Sequence, residues 1–248
     1  MRVAVAQFAT SSNNQENLAN CIRMINEVSV CEPSLIVLPE LCNTLYCNTQ
    51  LYNQPCYVDH NQAWNEALSI NGSFLQGIAE QAIKHHCYIV MNVTIRRDLS
   101  RDCSNNSSKS NISITSCLFS PLGELIHQAD KQTLTEQEHE FFVGARDLIE
   151  NTSVGLTTPF GKLGLLSGTD CLTFEASRGF ALNGAQLLCN PQNTFTLDQS
   201  NLHSPARACE NNVFIASANK IGSLVPQNAM NQEALTGVGQ SQIVSPDG

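Results

Sequence analysis

Residues Leu163 to Arg178 read LGLLSGTDCLTFEASR, and this stretch changes character twice. Leu163, Leu165 and Leu166 make a short apolar run, Ser167-Gly168 interrupts it, and Thr169 or Asp170 is placed to cap a helix just beyond. A carboxylate there can accept from the free N–H groups of a first helical turn and match the positive end of its dipole. The pattern predicts a strand that enters a helix through a sharp elbow. α/β hydrolytic enzymes set a nucleophile at such an elbow, because the helix start stabilises an anion beside it. The residue at this elbow is Gly168, which has no side chain to react. The nearest thiol, Cys171, comes three residues later.

Upstream, Val3 to Phe8 reads as a first buried strand, and Leu18, Ile22, Ile25 and Val28 recur at helical spacing after a polar run, Ser11–Asn14, suited to capping. Leu35-Ile36-Val37-Leu38 is continuously apolar, as expected of a parallel strand covered on both faces. Pro39 cannot supply a ladder hydrogen bond, so Glu40 is expected at the strand's C-terminal end, where open α/β sheets build their sites. Residues 42–72 show little period and are expected to form a long loop near the site. Ser73 can cap a helix carrying Phe74, Ile78, Ala82 and Ile83. A strand at Tyr88–Ile95 comes next, then a polar, Ser/Asn-rich hairpin tip from Asp98 to Asn111. Ile112–Phe119 and Glu124–Gln128 read as an antiparallel pair.

Beyond the elbow come a helix closed by Phe180, Leu182 and Ala185, a strand Leu187-Leu188-Cys189 stopped by Pro191, a short helix Ala206–Glu210, and strands at Val213–Ala218 and Gln240–Val244. The order is strand–helix–strand repeated within a single domain spanning residues 1–248. Ser245-Pro246-Asp247-Gly248 is a turn signal that normally precedes a returning strand, so a further strand is expected past Gly248.

The 248 residues carry a formal net charge of −9, which argues against nucleic-acid and anionic-membrane partners. No apolar run reaches membrane-spanning length, and the N-terminus reads as a strand rather than a signal peptide. A cytoplasmic location is expected, with the 11 cysteines as reduced thiols. The cysteines form no Cys-x-x-Cys pair and have no histidine at zinc spacing, and His85-His86, His139 and His203 lack ligand spacing. Neither a metal site nor a cofactor is expected.

Several stretches together resemble the carbon–nitrogen hydrolase (nitrilase) superfamily. They are Leu38-Pro39-Glu40; Asp130-Lys131-Gln132-Thr133-Leu134-Thr135 with Glu138; Gly164 to Arg178; and Arg207-Ala208-Cys209-Glu210-Asn211 running to Asn219 and Gly222. Gly184-Ala185 with Pro191, and Gly239-Gln240-Ser241 with Pro246-Asp247-Gly248, fit the same scheme. The resemblance covers essentially the whole chain in order. It implies an α/β fold, the four-layer α-β-β-α sandwich of the carbon–nitrogen hydrolase type. It also implies assembly into homodimers or larger homo-oligomers, and a strand and arm beyond Gly248.

The family's site is a Glu, Lys, Cys set supported by a second Glu. A carboxylate takes the thiol proton, the thiolate attacks an amide or nitrile carbon, and an ammonium stabilises the developing negative charge. By this resemblance Glu40 is the general base, Lys131 the oxyanion stabiliser and Glu138 the second glutamate, with Glu136 and Glu140 close enough to compete for that last role. The elbow departs from the pattern. A register without gaps on Gly164, Asp170, Glu175 and Arg178 puts Gly168 at the cysteine position. Asp130 and Thr133 also stand where a basic residue and a histidine are common.

Each feature has a plainer reading. Glu40 can be an exposed carboxylate at a loop start, Lys131 a solvated amine, and Thr135 to Glu138 a capping box. Glu175 with Arg178, and Arg207 with Glu210, can be ion pairs that hold helices. Cys171 can be a buried, inert thiol, since three residues of helix rise is about 4.5 Å and a misplacement of about 1 Å can cost about a hundredfold in rate. Cys189 ranks below it. Three functions are open: an amidase-like hydrolase of small amides, carbamoyl compounds or nitriles with Cys171 as displaced nucleophile; an inactive, small-molecule-binding relative; and a hydrolase in which Glu40 activates water directly. The survival of Glu40 and Lys131 together favours the hydrolase class.

Overall fold

The computed structural model describes residues 1–45, 57, 59–97, 111–145, 155–223 and 236–248. Its strands are β1 (Val3–Val5), β2 (Leu35–Val37), β3 (Tyr88–Arg96), β4 (Ile112–Phe119), β5 (Leu125–Asp130), β6 (Leu156–Thr158), β7 (Gly161–Leu165), β8 (Leu187–Gln192), β9 (Phe214–Asn219), β10 (Ile221–Ser223), β11 (Thr236–Val238) and β12 (Gln242–Val244). Its α-helices are α1 (Asn14–Val28), α2 (His60–Glu66), α3 (Ser73–His85), α4 (Glu136–Phe141), α5 (Phe174–Leu182) and α6 (Ser204–Asn211).

Two five-stranded sheets have the orders β1-β2-β3-β4-β5 and β12-β9-β8-β7-β6, and β10 and β11 pair in a separate two-stranded sheet. β1, β2 and β3 are parallel, as are β7, β8 and β9, and the flanking strands are antiparallel. The two-residue alternation of a strand then sorts the side chains. Leu35, Val37, Val90 and Leu118 point at the second sheet, against Leu163, Leu165, Leu187, Cys189, Ala216 and Ala218. Ile36, Leu38, Ile89, Met91 and Val93 point the other way, onto Cys21 and Ile25 of α1 and Leu75, Ile78 and Ala82 of α3. On the far side Leu166, Leu188 and Ile215 receive Ala176 and Phe180 of α5 and Ala208 of α6. The result is a four-layer α-β-β-α sandwich with three apolar interfaces, which explains why the central strands read as continuous apolar runs.

Several expectations change in detail. Asn13, within the expected capping run, caps α1, accepting from the N–H groups of Gln15 and Glu16. Gly72 occupies the N-cap of α3, and Ser73 is its first residue. The loop expected over 42–72 contains α2, a seven-residue helix capped by Asp59 with Ala63 as its buried residue; so few apolar positions leave no period to read. Residues 46–56 and 58 of that loop, and 98–110 of the expected hairpin tip, lie outside the described residues. Pro191 does not stop its strand: β8 runs on to Gln192, with Pro191 paired to Ala218. Arg178 does not hold Glu175. It donates to the Glu210 carbonyl and the Asn211 side chain, tying α5 to α6.

Candidate active site

The elbow itself is tighter than a strand running straight into a helix. Residues Gly168–Cys171 form a 3-10 turn, and α5 begins only at Phe174, after Thr173 at its N-cap. Asp170 therefore does not cap the long helix. Its Oδ2 accepts from the Ser167 N–H at 3.1 Å, and its Oδ1 accepts from the N–H groups of Gln132 and Thr133 at 3.0 and 2.7 Å. One buried carboxylate thus ties the elbow to the segment that carries Lys131. Burial pushes the Asp170 carboxyl up to about 7, against the pull of the Lys131 charge and the N–H groups of Thr133 and Gln132.

A second buried group joins the elbow to the end of β2. Asn92 accepts from the Leu41 N–H at 3.0 Å and donates to Ser116 Oγ at 3.0 Å and Ser167 Oγ at 2.8 Å. Leu41 stands in the left-handed region (φ 53°), and the Glu40 N–H donates to the Gln192 carbonyl. Bulky residues rarely adopt that backbone, and such strain concentrates at functional sites. Together these contacts fix where Glu40 projects.

Glu40, Lys131 and Glu138 meet there. The Lys131 ammonium donates to Glu40 Oε1 at 2.9 Å and to Glu138 Oε1 at 2.6 Å, and all three side chains are buried. Glu138 has a second task. It is the N3 residue of a capping box on α4, its Oε2 accepting from the Thr135 N–H while Thr135 Oγ1 accepts from the Glu138 N–H. The capping-box reading and the site reading describe the same side chain. Glu136 and Glu140 face solvent. Burial alone would push the Lys131 ammonium down, but the two adjacent carboxylates outweigh it and hold it well above the usual lysine range. Burial raises the Glu40 carboxyl, with Lys131 opposing and the Glu138 charge adding to the rise.

Gly168 has φ +46°, the left-handed region that favours glycine. A β-carbon placed on it would lie 2.5 Å from Glu40 Cδ and inside contact distance of both carboxylate oxygens. The Glu40 carboxylate thus fills the space where an elbow side chain would begin. Cys171 lies elsewhere. Its Sγ is 3.8 Å from Ser204 Oγ, within the apolar cluster between the second sheet and its helices, and burial pushes the thiol up to about 11. Cys189 sits between the two sheets, its thiol pushed up by burial to about 12.

Glu40, Lys131 and Glu138 open onto a cavity of about 210 Å³. Its other walls include Leu41, Thr135, Thr169, Leu172, Thr194 and Gln199, and its described lining contains no cysteine, serine, histidine or arginine. Sequence reasoning did not single out Thr194, Gln199 or the bridging Asn92. They come from elements far apart in the chain, and no local spacing marks them.

The model of the carbon–nitrogen hydrolase family matches residues 2–248. This chain belongs to the carbon–nitrogen hydrolase family. It is 28% identical to a probable nitrilase of Schizosaccharomyces pombe over 241 residues, 94% of this chain and 76% of that one. Among solved structures, an amidase from Nesterenkonia sp. AN1 superposes with a TM-score of 0.74 at 23% identity, covering 100% of this chain and 86% of that one. The NitFhit protein of Caenorhabditis elegans superposes with a TM-score of 0.76 at 21% identity over 99% of this chain and 56% of its own. At these identities the two likenesses establish the shared fold. No helix among the described residues is long and apolar enough to cross a membrane.

Proposed function

We propose that this member of the carbon–nitrogen hydrolase family binds a small, amide-sized polar molecule reversibly in the Glu40–Lys131–Glu138 cavity and forms no acyl-enzyme with it. One observation carries this reading: at the elbow, Gly168 offers no reacting atom, and the Glu40 carboxylate occupies the space such an atom would need. Acyl transfer needs a nucleophile within hydrogen-bond reach of its base and a charge to stabilise the oxyanion. The base and the ammonium face the cavity, but no thiol stands on its described wall. The displaced-thiol mechanism has little support, because Cys171 lies in an apolar cluster with a raised thiol and would be almost wholly un-ionised at neutral pH. The relatives support the size of the occupant. Structures of the Nesterenkonia amidase carry acrylamide or the acetamide moiety of fluoroacetamide on its active-site cysteine.

Direct attack by water is a second reading, favoured by one feature. Among the described residues no donor reaches Glu40 Oε2, so that oxygen is free to hold a water.

Ammonia release from acetamide, acrylamide, small carbamoyl amines and nitriles separates these readings. Reversible binding predicts no release above the buffer rate by the wild-type protein. Release that disappears in Cys171→Ala would restore the displaced thiol. Release that survives there but disappears in Glu40→Gln would establish water attack. Either result overturns the proposal.

A further inference from the structure

Lys220 is 0% exposed, yet it stands outside the described wall of the cavity. A buried ammonium is costly unless it is hydrogen-bonded and near opposite charge. Its stem is fixed at the end of β9. Asn219 Oδ1 accepts from the N–H groups of Thr194 and Lys220, and Asn219 Nδ2 donates to the Gly239 carbonyl. On either side of the Lys220 side chain, its carbonyl accepts from the Gly239 N–H and the Ile221 N–H donates to the Phe8 carbonyl. From this stem the ammonium reaches Thr44, 176 residues away in sequence, and donates to its carbonyl at 2.8 Å.

Thr44 closes the turn that follows Glu40. Its N–H donates to the Leu41 carbonyl at 3.1 Å, and its carbonyl accepts from Thr10 Oγ1 at 3.0 Å as well as from Lys220. Thr44 Oγ1 donates to Glu66 Oε2 at 2.8 Å. Asn43 in the same turn donates to Thr94 Oγ1, accepts from the Thr94 N–H, and takes the Asn17 side chain on its carbonyl. Leu41 begins this turn in its left-handed conformation, and such a residue persists only where its surroundings over-determine it. Lys220 is the cation among these holders. The charged groups acting on Glu40 are Lys131, Glu138, Asp170 and Lys220, and the Cys21 thiol also lies within the field of Lys220. Lys220 pulls the Glu40 carboxyl down alongside Lys131, against burial and the Glu138 charge.

We infer that Lys220 is a positioning residue for Glu40: its ammonium clamps the turn that aims the carboxylate and, as a second cation beside Lys131, favours the charged form. The inference rests on the reading of Glu40 as a working member of the cavity, and it holds for reversible binding and for water attack alike.

The test follows Glu40 itself in the full chain. Carbon-13 NMR of protein labelled at the glutamate side-chain carboxyls gives its titration midpoint, the signal being assigned by its loss in Glu40→Gln. Amide hydrogen exchange at residues 41–44 reports the turn in the same samples. Lys220→Gln keeps a donor for the Thr44 carbonyl but removes the charge; it should raise the Glu40 midpoint by about one pH unit and leave the turn protected. Lys220→Met removes both, so exchange at the turn should also quicken about tenfold. Lys220→Arg should keep both near wild type. Thr10→Val removes an uncharged bond to the same carbonyl, and should quicken exchange without moving the midpoint. A midpoint that stays in place in both neutral variants, or that moves as far in Thr10→Val, overturns the inference and reduces Lys220 to an interior strut. Lys220→Gln and Lys220→Arg carry the test if Lys220→Met does not fold. Ammonia release by the wild-type protein overturns the reversible-binding reading and leaves this one standing, so the two failures are told apart.

Discussion

At the scale of single residues, the site depends on buried charges held by specific partners. Asp170 is the clearest case, because its three N–H donors come from both sides of the elbow. Its folded carboxyl is raised from 3.8 to about 7, so the native state holds that proton more tightly than the unfolded chain. Linkage then makes this group's contribution to stability fall as pH rises between about 4 and about 7. The raised Glu40 carboxyl acts in the same direction. Asp170→Asn should flatten that fall in urea denaturation at pH 4.5 and pH 7.5. It should also lower stability by about 1–3 kcal/mol, since an amide N–H₂ must then face the Ser167 N–H. An unchanged slope would mean that Asp170 is ionised throughout.

At the scale of elements, α4 is where a cap and a site coincide. Thr135→Ala removes the side-chain half of the capping box and should cost about 1 kcal/mol, leaving Glu138 Oε1 on Lys131 and its Oε2 on the backbone N–H of residue 135. Glu138→Ala removes both the cap and a buried ion partner, and should cost about 3 kcal/mol or more by chemical denaturation. A larger loss from the threonine change would show that α4 is anchored by its cap rather than by the lysine.

The elements themselves differ in how openly the sequence declares them. The central strands and the elbow are legible because burial on both faces leaves unbroken apolar runs, and Glu40 is legible because it follows one of them. α2 is not, since a single buried alanine gives no period. Pro191 is misleading. A proline normally marks the end of a strand, yet parallel pairing to Ala218 carries β8 past it. Asp170 has the sequence context of a helix cap and does accept from the nearby Ser167 N–H, but its other two partners lie 37 and 38 residues away in sequence, beyond any local rule. The same limit applies to Glu40 and Gly168. A glycine at the elbow can be read from one line of sequence, whereas a carboxylate settled against it depends on how β2 and β7 sit across the two sheets.

At the scale of the whole molecule, four layers hold these parts in register, and the spacing between layers is set by small residues at close approach. Gly164 on β7 is one of them. A β-carbon there would come within 2.7 Å of Leu188 Cδ2 and Phe180 Cγ, where α5 packs on the second sheet. Gly164→Ala should therefore cost about 1–3 kcal/mol by overpacking and shift α5, with the elbow it follows, relative to Lys131. A thermally neutral alanine would show slack in that layer.

If Glu40, Lys131 and Glu138 form a site without a nucleophile, and the Glu40 carboxylate turns aside for a side chain at residue 168, a thiol placed at the elbow should react. Peptide-mapped mass spectrometry after a brief exposure to acrylamide tests this most directly, comparing the wild-type protein with Gly168→Cys. Wild-type modification is expected only at exposed thiols such as Cys31 and Cys209, with one added, faster adduct at residue 168 in the variant. A fast wild-type adduct that a bound small amide protects would contradict the reading, by revealing a nucleophile already in the cavity.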